Sequence, residues 1–354
     1  MAPPTSLSWC RCRSACPPQR RTAARRTARR TSRRHAPRPS RPRPPHARPA
    51  PPPPPPPRRP PPPPAGPPPG RPTAAQSIDD GLTLPARLFR TTVDHGVDRW
   101  STYWEGTRLR DNGNIGTLTT RSTTWMGSYG VTENLNVYAT LPYVRTEASQ
   151  GVLMGMRGAQ DLTVAAKYRF ARVPLRDGLV LGATALVAAA APTTDYTPDF
   201  LPMSIGLGSR RATLRTAVHL KERRGFFADA AGAYTRRSTV KLDRVSYYDG
   251  ERLVNSNEVA MPDVLDWSAG IGYNDATWCI PLVLMGQRTL GGHDIRRQDM
   301  PFVSNRMDFL RVGGKVMYMI PALPALGVSV GAAHTLAGRN VGQSTTYSVG
   351  LISA

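Results

Sequence analysis

The sequence of 354 residues lacks long apolar segments. No run of about 18 consecutive apolar residues occurs, which argues against membrane-spanning helices. The nearest candidate, residues 179–191, is too short and contains Gly182 and Thr184. A membrane protein built from helices is therefore not expected.

Cysteines are few, and their positions exclude a disulfide framework for most of the chain. Cys279 stands alone, while the other three form the pattern Cys10-X-Cys12-X3-Cys16 among Arg and Pro residues, with no fourth zinc ligand close by. The P-loop, dinucleotide-binding, zinc-protease and serine-hydrolase motifs are all missing. We therefore expect no metal, no cofactor and no enzymatic activity.

Acidic residues and lysine are absent from residues 1–75, which contain 17 arginines and 26 of the 37 prolines. Such a sequence favours extended polyproline conformations and offers almost nothing apolar to bury. We predict a disordered Arg/Pro-rich segment over 1–75 and one folded domain over 76–354. The formal net charge of +23 falls to +6 in that second part, so the excess positive charge belongs mainly to the segment.

Three interpretations of residues 1–75 stay open. An Arg-rich arm could bind nucleic acid or anionic lipid, and transit peptides are also Arg-rich and poor in acids. We favour a third interpretation, in which an upstream stretch of a GC-rich gene has been translated from the wrong start. A secretory signal ending at Ala74-Ala75-Gln76 would need an apolar core, and the preceding residues supply none. Nucleic-acid binding is expected only if the segment is real.

Alternation of apolar and polar residues characterises the second part of the sequence, and residues 161–170 show it most clearly. In a strand, Leu162 and Val164 would fall on one face and Lys167 and Arg169 on the other, because strand side chains have a period of two. Similar segments recur, and the intervals between them alternate between long and short. This pattern is typical of transmembrane β-barrels, whose strands are apolar outside and polar inside.

We predict twelve strands, at residues 82–93, 115–126, 135–143, 161–170, 179–190, 212–220, 226–235, 264–273, 277–287, 308–320, 326–335 and 344–352. Bacterial barrels have an even number of strands, long extracellular loops and short periplasmic turns. The sequence therefore predicts an all-β fold, an antiparallel up-and-down transmembrane β-barrel in the bacterial outer membrane, surrounded by its lipid.

A soluble β-sandwich or lipocalin-like barrel would give the same alternation, because it buries the apolar face instead of exposing it to lipid. The alternating loop lengths favour the membrane. So do aromatic residues near strand ends, where membrane girdles place them; these are Trp125, Tyr143, Tyr168, Tyr234, Tyr273, Trp278 and Tyr318.

Charged residues on the inner face of the predicted barrel are the candidate functional residues. They are Asp161, Lys167, Arg169, Arg215, His219, Asp229, Asp266, Arg311 and Lys315. We expect them chiefly to neutralise one another in a narrow lumen. The alternative is that they line a solute path, as charged rings do in pores. The strand at 179–190 is apolar on both faces, so an apolar strip beside these charges would suit an amphiphilic or weakly acidic aromatic compound.

Several segments occur in a recognisable order: 100–106 (WSTYWEG), 129–137 (YGVTENLNV), 158–162 (GAQDL), 167–170 (KYRF), 191–196 (APTTDY) and 205–209 (IGLGS). In pattern and order they resemble a family of Gram-negative outer-membrane proteins described as "Putative MetA-pathway of phenol degradation". The resemblance implies an outer-membrane channel or transporter-like barrel for small hydrophobic or aromatic compounds. The alternative is a non-conducting structural or surface-interaction barrel that works through its long loops.

Overall fold

The computed structural model describes residues 80–176, 178–296 and 300–353. Within them, twelve long strands are numbered here in chain order as β1 (Phe89–Trp100), β2 (Leu118–Gly130), β3 (Leu135–Ala148), β4 (Asp161–Arg176), β5 (Leu179–Pro192), β6 (Arg211–Glu222), β7 (Phe226–Arg237), β8 (Val264–Asn274), β9 (Trp278–Thr289), β10 (Asp308–Met319), β11 (Leu326–Arg339) and β12 (Thr345–Ser353). In those same ranges no helix is long and apolar enough to cross a membrane. The predictions for residues 1–75, including the Cys-rich pattern, lie outside the described residues.

The twelve strands form a closed antiparallel barrel, because each strand pairs with its neighbours in the chain and β1 also pairs with β12. Val93 of β1, for example, lies opposite Trp125 of β2 on one side and Leu351 of β12 on the other. Closure leaves no strand edge unpaired, as a bilayer without water requires. The predicted all-β up-and-down barrel with twelve strands is confirmed.

Large apolar side chains point outward from the wall and are exposed. Ile271 and Leu351 remain 62% and 65% accessible, and Val164 remains 50% accessible. Aromatic residues cluster where strands meet the short turns: the rings of Phe226 and Tyr273 lie 5.5 Å apart, and those of Trp278 and Tyr318 lie 4.6 Å apart. A soluble β-protein would bury this band, so the soluble alternative is wrong and the band is the lipid-facing surface.

The sequence pattern predicted a first strand from residue 82, but the strand begins at Phe89. Residues before it leave the wall and turn into the barrel at the end with short turns, which is the periplasmic end in this class. Pro85 lacks an N–H for a ladder, and Arg87 has a left-handed φ of 63°. Both features prevent the chain from continuing as a strand, and Leu84 becomes completely buried.

The long loops have structure of their own. Three two-stranded ribbons lie in them: Thr102–Glu105 with Arg108–Asp111, Val240–Lys241 with Glu258–Val259, and Tyr247–Asp249 with Arg252–Val254. A further short strand, Arg157–Ala159, pairs with β3. The last loop, 340–344, is shorter than predicted because β11 continues to Arg339.

The lipid-facing stripe can be tested at adjacent residues of β4. Val164 points outward and is half exposed, whereas Thr163 lines the interior. Val164→Arg should cost about 2–4 kcal/mol of folding free energy if it places a charge near the bilayer midplane. Thr163→Arg should cost less. Urea titration of the barrel folded into vesicles measures both, and equal losses would contradict the assigned register.

Candidate functional site

A cavity of about 620 Å³, called the lumen cavity below, lies inside the barrel. Its lining is mixed. Apolar side chains reach it from several strands, among them Met126, Leu186, Phe227, Val283, Met285 and Ile352. Charged and titratable side chains lie between them, among them Arg90, Asp94, Arg215, His219, Asp229 and Lys315.

β9 contributes part of the apolar lining, although apolar residues occur on both of its faces. The pairing of β9 with β10 fixes the register, because Cys279 lies opposite Met317 and Leu282 lies opposite Gly314. The two residues between Cys279 and Leu282 form no pairs with β10. Pro281 lies in that gap, where it has no N–H to donate. Pro281, Val283 and Met285 consequently face the cavity.

β5 contributes two residues of the predicted apolar strip to the lumen cavity. Leu186 points inward and is 5% exposed, and Ala188 also lines the lumen cavity. Ala185 lies opposite the outward-facing Tyr168, so it belongs to the lipid side and is not a lumen position.

Two ion pairs lie along the inner wall and span from β10 to β1. Lys315 Nζ is 2.6 Å from Asp94 Oδ1, and an Arg311 guanidinium nitrogen is 3.0 Å from Asp98 Oδ1. β11 and β12 lie between these strands. A Cβ on Gly331 of β11 would be 3.3 Å from Lys315 Cγ. Glycine there leaves room for the lysine side chain to cross the intervening strands.

Arg215, Asp229 and Asp266 face the lumen cavity from β6, β7 and β8. The Arg215 guanidinium donates to Ser268 Oγ at 2.9 Å. One basic and two acidic groups therefore lie on three neighbouring strands of this wall. With the two ion pairs opposite, this arrangement suits mutual neutralisation, while the cavity between them keeps the groups in reach of a solute.

Asp161 and Arg169 are not part of the lumen cavity lining. Asp161 lies at the extracellular rim, where it accepts from the Tyr196 hydroxyl at 2.7 Å and from Arg211 at 2.9 Å. It thereby holds the loop 193–210, and burial together with this hydrogen bond raises the pKa of Tyr196. Arg169 lies at the other end, where it donates to the Asn134 side chain and to the Glu133 carbonyl in the turn 131–134.

Lys167 and His219 lie near the periplasmic end, where the chain before β1 enters the barrel. Lys167 Nζ donates to the carbonyl oxygen of Asp80 at 2.7 Å. A Cβ on Gly81 would be 2.7 Å from the Cβ of His219, so the backbone there is pressed against the histidine. The ring of His219 also packs on Phe227, with centroids 5.3 Å apart.

Sequence reasoning missed the inner face of β1, which carries Arg90, Asp94 and Asp98. The predicted strand ended at residue 93, so the two aspartates were assigned to a loop. A period-two signal was present but weak: Arg90, Thr92, Asp94 and Asp98 are polar at every inner position except Gly96, while His95 and Arg99 interrupt the apolar outer face. Continuing the strand to Trp100 would have found them.

Extracellular loops cover part of the barrel mouth. Met203, in the loop 193–210, is fully buried and packs with Ile115 and Leu118. The Thr146 hydroxyl fixes it by donating to the Met203 carbonyl at 2.6 Å. The loop therefore folds inward over β2 and β3, and it narrows the extracellular entrance.

A second cavity of about 190 Å³ lies among the extracellular loops and is lined by Arg244, Tyr248 and Phe302. The Arg244 guanidinium lies 5.1 Å from the centroid of the Phe302 ring and pairs with Asp199. Across the described ranges, no group of three or more His, Cys, Asp or Glu residues is arranged to hold a metal ion.

One comparison with a solved structure supports the fold. The COG4313 outer membrane channel from Pseudomonas putida F1 superposes with a TM-score of 0.62 at 16% identity, over 79% of this chain and 99% of that one. The NanC porin gives 0.42 at 8% identity, over 74% and 99% of the two chains. The translocator domain of autotransporter NalP from Neisseria meningitidis gives 0.41 at 12%, over 78% and 92%. A comparison with curated protein sequences finds no match.

The closed wall, the lipid-facing band and the mixed lumen define a porin-like β-barrel of the bacterial outer membrane. The family model described as "Putative MetA-pathway of phenol degradation" matches residues 106–351. The chain belongs to this family.

The lumen charges can be tested through ion selectivity. Asp94→Asn removes the carboxylate that faces Lys315, so the lumen gains net positive charge. We expect the reversal potential in a KCl gradient across a planar bilayer to shift toward the equilibrium potential of chloride. The matched control is Glu147→Gln, which removes a carboxylate paired with Arg121 at an exposed site. An equal shift in both variants would contradict a lumen role for Asp94.

Loop packing should depend on pH through Asp294, which joins the loop 290–307 to the end of β11. Hydrogen bonds from Arg339 at 2.7 Å, and then from Asn340, hold the pKa of Asp294 below its ordinary value. A lowered carboxyl pKa stabilises the packing above the ordinary value of about 3.9, and the contribution is lost as the pH falls through the lowered value.

Acidification from pH 5 toward about pH 3 should therefore lower the hydrogen-exchange protection factors of residues 290–296, measured relative to the intrinsic exchange rate at each pH. Asp294→Asn should show the lower protection already at neutral pH and lose most of the dependence. Identical pH profiles in both proteins would reject this role.

Proposed function

We propose that this barrel is a channel for small amphiphilic or weakly acidic aromatic compounds and that it has no enzymatic activity. The observation that carries the proposal is the composition of the lumen cavity. Its volume of about 620 Å³ falls in the range of small-molecule sites, which are mainly apolar with a few placed polar groups.

Apolar side chains would accommodate the ring of such a solute. Phe227 and Leu186 enter the cavity from one side of the barrel, and Met285 and Val283 enter from β9. Thioethers adapt to irregular shapes and make favourable contacts with rings, which suits a channel that passes related solutes. A sugar would instead need dense hydrogen-bonding groups along this wall.

Charged groups would accommodate the polar end of the solute. Arg215 and Lys315 reach the same cavity, each close to an acidic or hydroxyl partner. A solute acid could replace the neutral Ser268 hydroxyl as a partner of Arg215 without leaving a buried charge unpaired. Membership of the phenol-degradation family supports an aromatic solute.

A second candidate is a surface-interaction barrel. The loops share a hydrophobic core of Val240, Leu242, Val259, Met261 and Val303, all nearly inaccessible. Above it, Arg244 and Tyr248 line a separate cavity. Folded loops with such a cavity suit recognition at the cell surface, and this function would require no flux through the lumen.

Flux can be tested with two tryptophan substitutions on β5. Ala188→Trp fills the lumen cavity, whereas Ala189→Trp, one residue further, points to lipid. Proteoliposomes containing the first variant should take up labelled benzenesulfonate, an aromatic anion that crosses lipid poorly, several times more slowly than wild type. The second should match wild type. Unchanged uptake in Ala188→Trp, or no uptake above empty liposomes in any protein, would reject the channel.

A further inference from the structure

The segment Asp80 to Leu84, called the inserted segment here, occupies the periplasmic part of the lumen. Its Leu84 end is fixed, because the Asn136 side chain bonds both the Leu84 N–H and the Leu84 carbonyl, at 3.1 and 3.3 Å. Its Asp80 end meets Lys167, and Asp80 and Leu82 both line the lumen cavity. The segment therefore borders the space that a solute would cross.

Lys167 makes several contacts with the inserted segment. Its ammonium lies 3.2 Å from Asp80 Oδ1, 2.7 Å from the Asp80 carbonyl and 3.4 Å from the Leu82 carbonyl. It also lies 5.1 Å from the ring centroid of Tyr138. Acidic and carbonyl oxygens on one side and an aromatic face on the other surround the cation.

The Asp80 carboxylate is important because the cations near it are buried. Lys167 is 1% exposed, and Arg90, on which the Asp80 charge acts, is also 1% exposed. A buried ammonium is costly unless an anion accompanies it. If the inserted segment leaves, an anion of another origin is favoured at the same place.

The inserted segment also has the chemical form of the proposed solute. The Asp80 carboxylate is followed two residues later by Leu82, which faces the cavity together with Met126, Leu186 and Phe227. An aromatic monocarboxylate has the same arrangement of one acid and one apolar body. The carboxylate would meet Lys167, and the ring would lie among those three side chains.

We propose that Lys167 is the anion-binding residue of the solute site and that the inserted segment occupies this site as a competitor of an aromatic monocarboxylate. This inference rests on the proposed channel function and names the binding group and solute class within it. Solute binding and insertion exclude each other, so each weakens the other by the same factor.

The test is calorimetric titration of the folded full chain with benzoate, with benzamide as the uncharged probe of similar shape. Asp80→Asn removes the competing carboxylate, and benzoate should bind at least about fivefold more tightly. Benzamide should bind equally well to both proteins. Unchanged benzoate affinity in Asp80→Asn would overturn the proposal.

Lys167→Gln provides the second arm, with Lys241→Gln as its matched control. Both remove one lysine charge from the chain, but Lys241 is exposed in a loop ribbon and does not line the lumen cavity. Benzoate binding should be lost in Lys167→Gln and retained in Lys241→Gln, and equal effects would contradict a specific site. If Lys167→Gln does not fold, as judged by heat-dependent gel mobility, Lys167→Arg should retain binding and the Asp80→Asn result decides.

Current measurements on the same proteins separate this inference from the proposed function. Current in all variants without any effect of Asp80→Asn on benzoate affinity rejects the competitor and leaves the channel intact. Specific benzoate binding without current rejects the channel and leaves the site as a binding site.

Discussion

The pairing of β1 with β12 is the constraint on which the rest of the molecule depends. Backbone N–H and C=O groups in lipid must be paired within the protein, and only a closed sheet achieves this with strands. Thr91 to Arg99 lie opposite Ser353 to Thr345 without a break. Closure fixes which side chains face the interior, and every functional argument above follows from that assignment.

Charge and space in the lumen are linked through small residues. Gly331 and Gly350 lie between the strands that carry Lys315 and Asp94, and a Cβ on Gly331 would crowd the lysine side chain. The ion pair therefore lies along the wall instead of projecting across the lumen. Apolar side chains from β5, β7 and β9 face the remaining space, so polar and apolar groups lie next to one another in the lumen. An amphiphilic solute could contact both.

The sequence was sufficient for the fold but not for the site. Alternation, as in 161–170, predicts most strands and their facing, and closure follows because an open sheet edge in lipid would leave backbone groups unpaired. The inserted segment gave no such signal, because residues 80–84 are held by distant side chains such as Asn136 and Lys167. Asp161 and Arg169 obey the same alternation as Lys167, yet they lie at opposite rims. Position along the barrel axis depends on strand stagger, which a period-two pattern does not encode.

The central claim is that the lumen conducts, and single-channel recording of the purified full chain in a planar bilayer tests it most directly. The account predicts discrete current steps that decrease when benzoate is added, because the solute would occupy the same cavity as the ions. Barrels that show the heat-dependent gel mobility of a folded protein but give no current steps would contradict it.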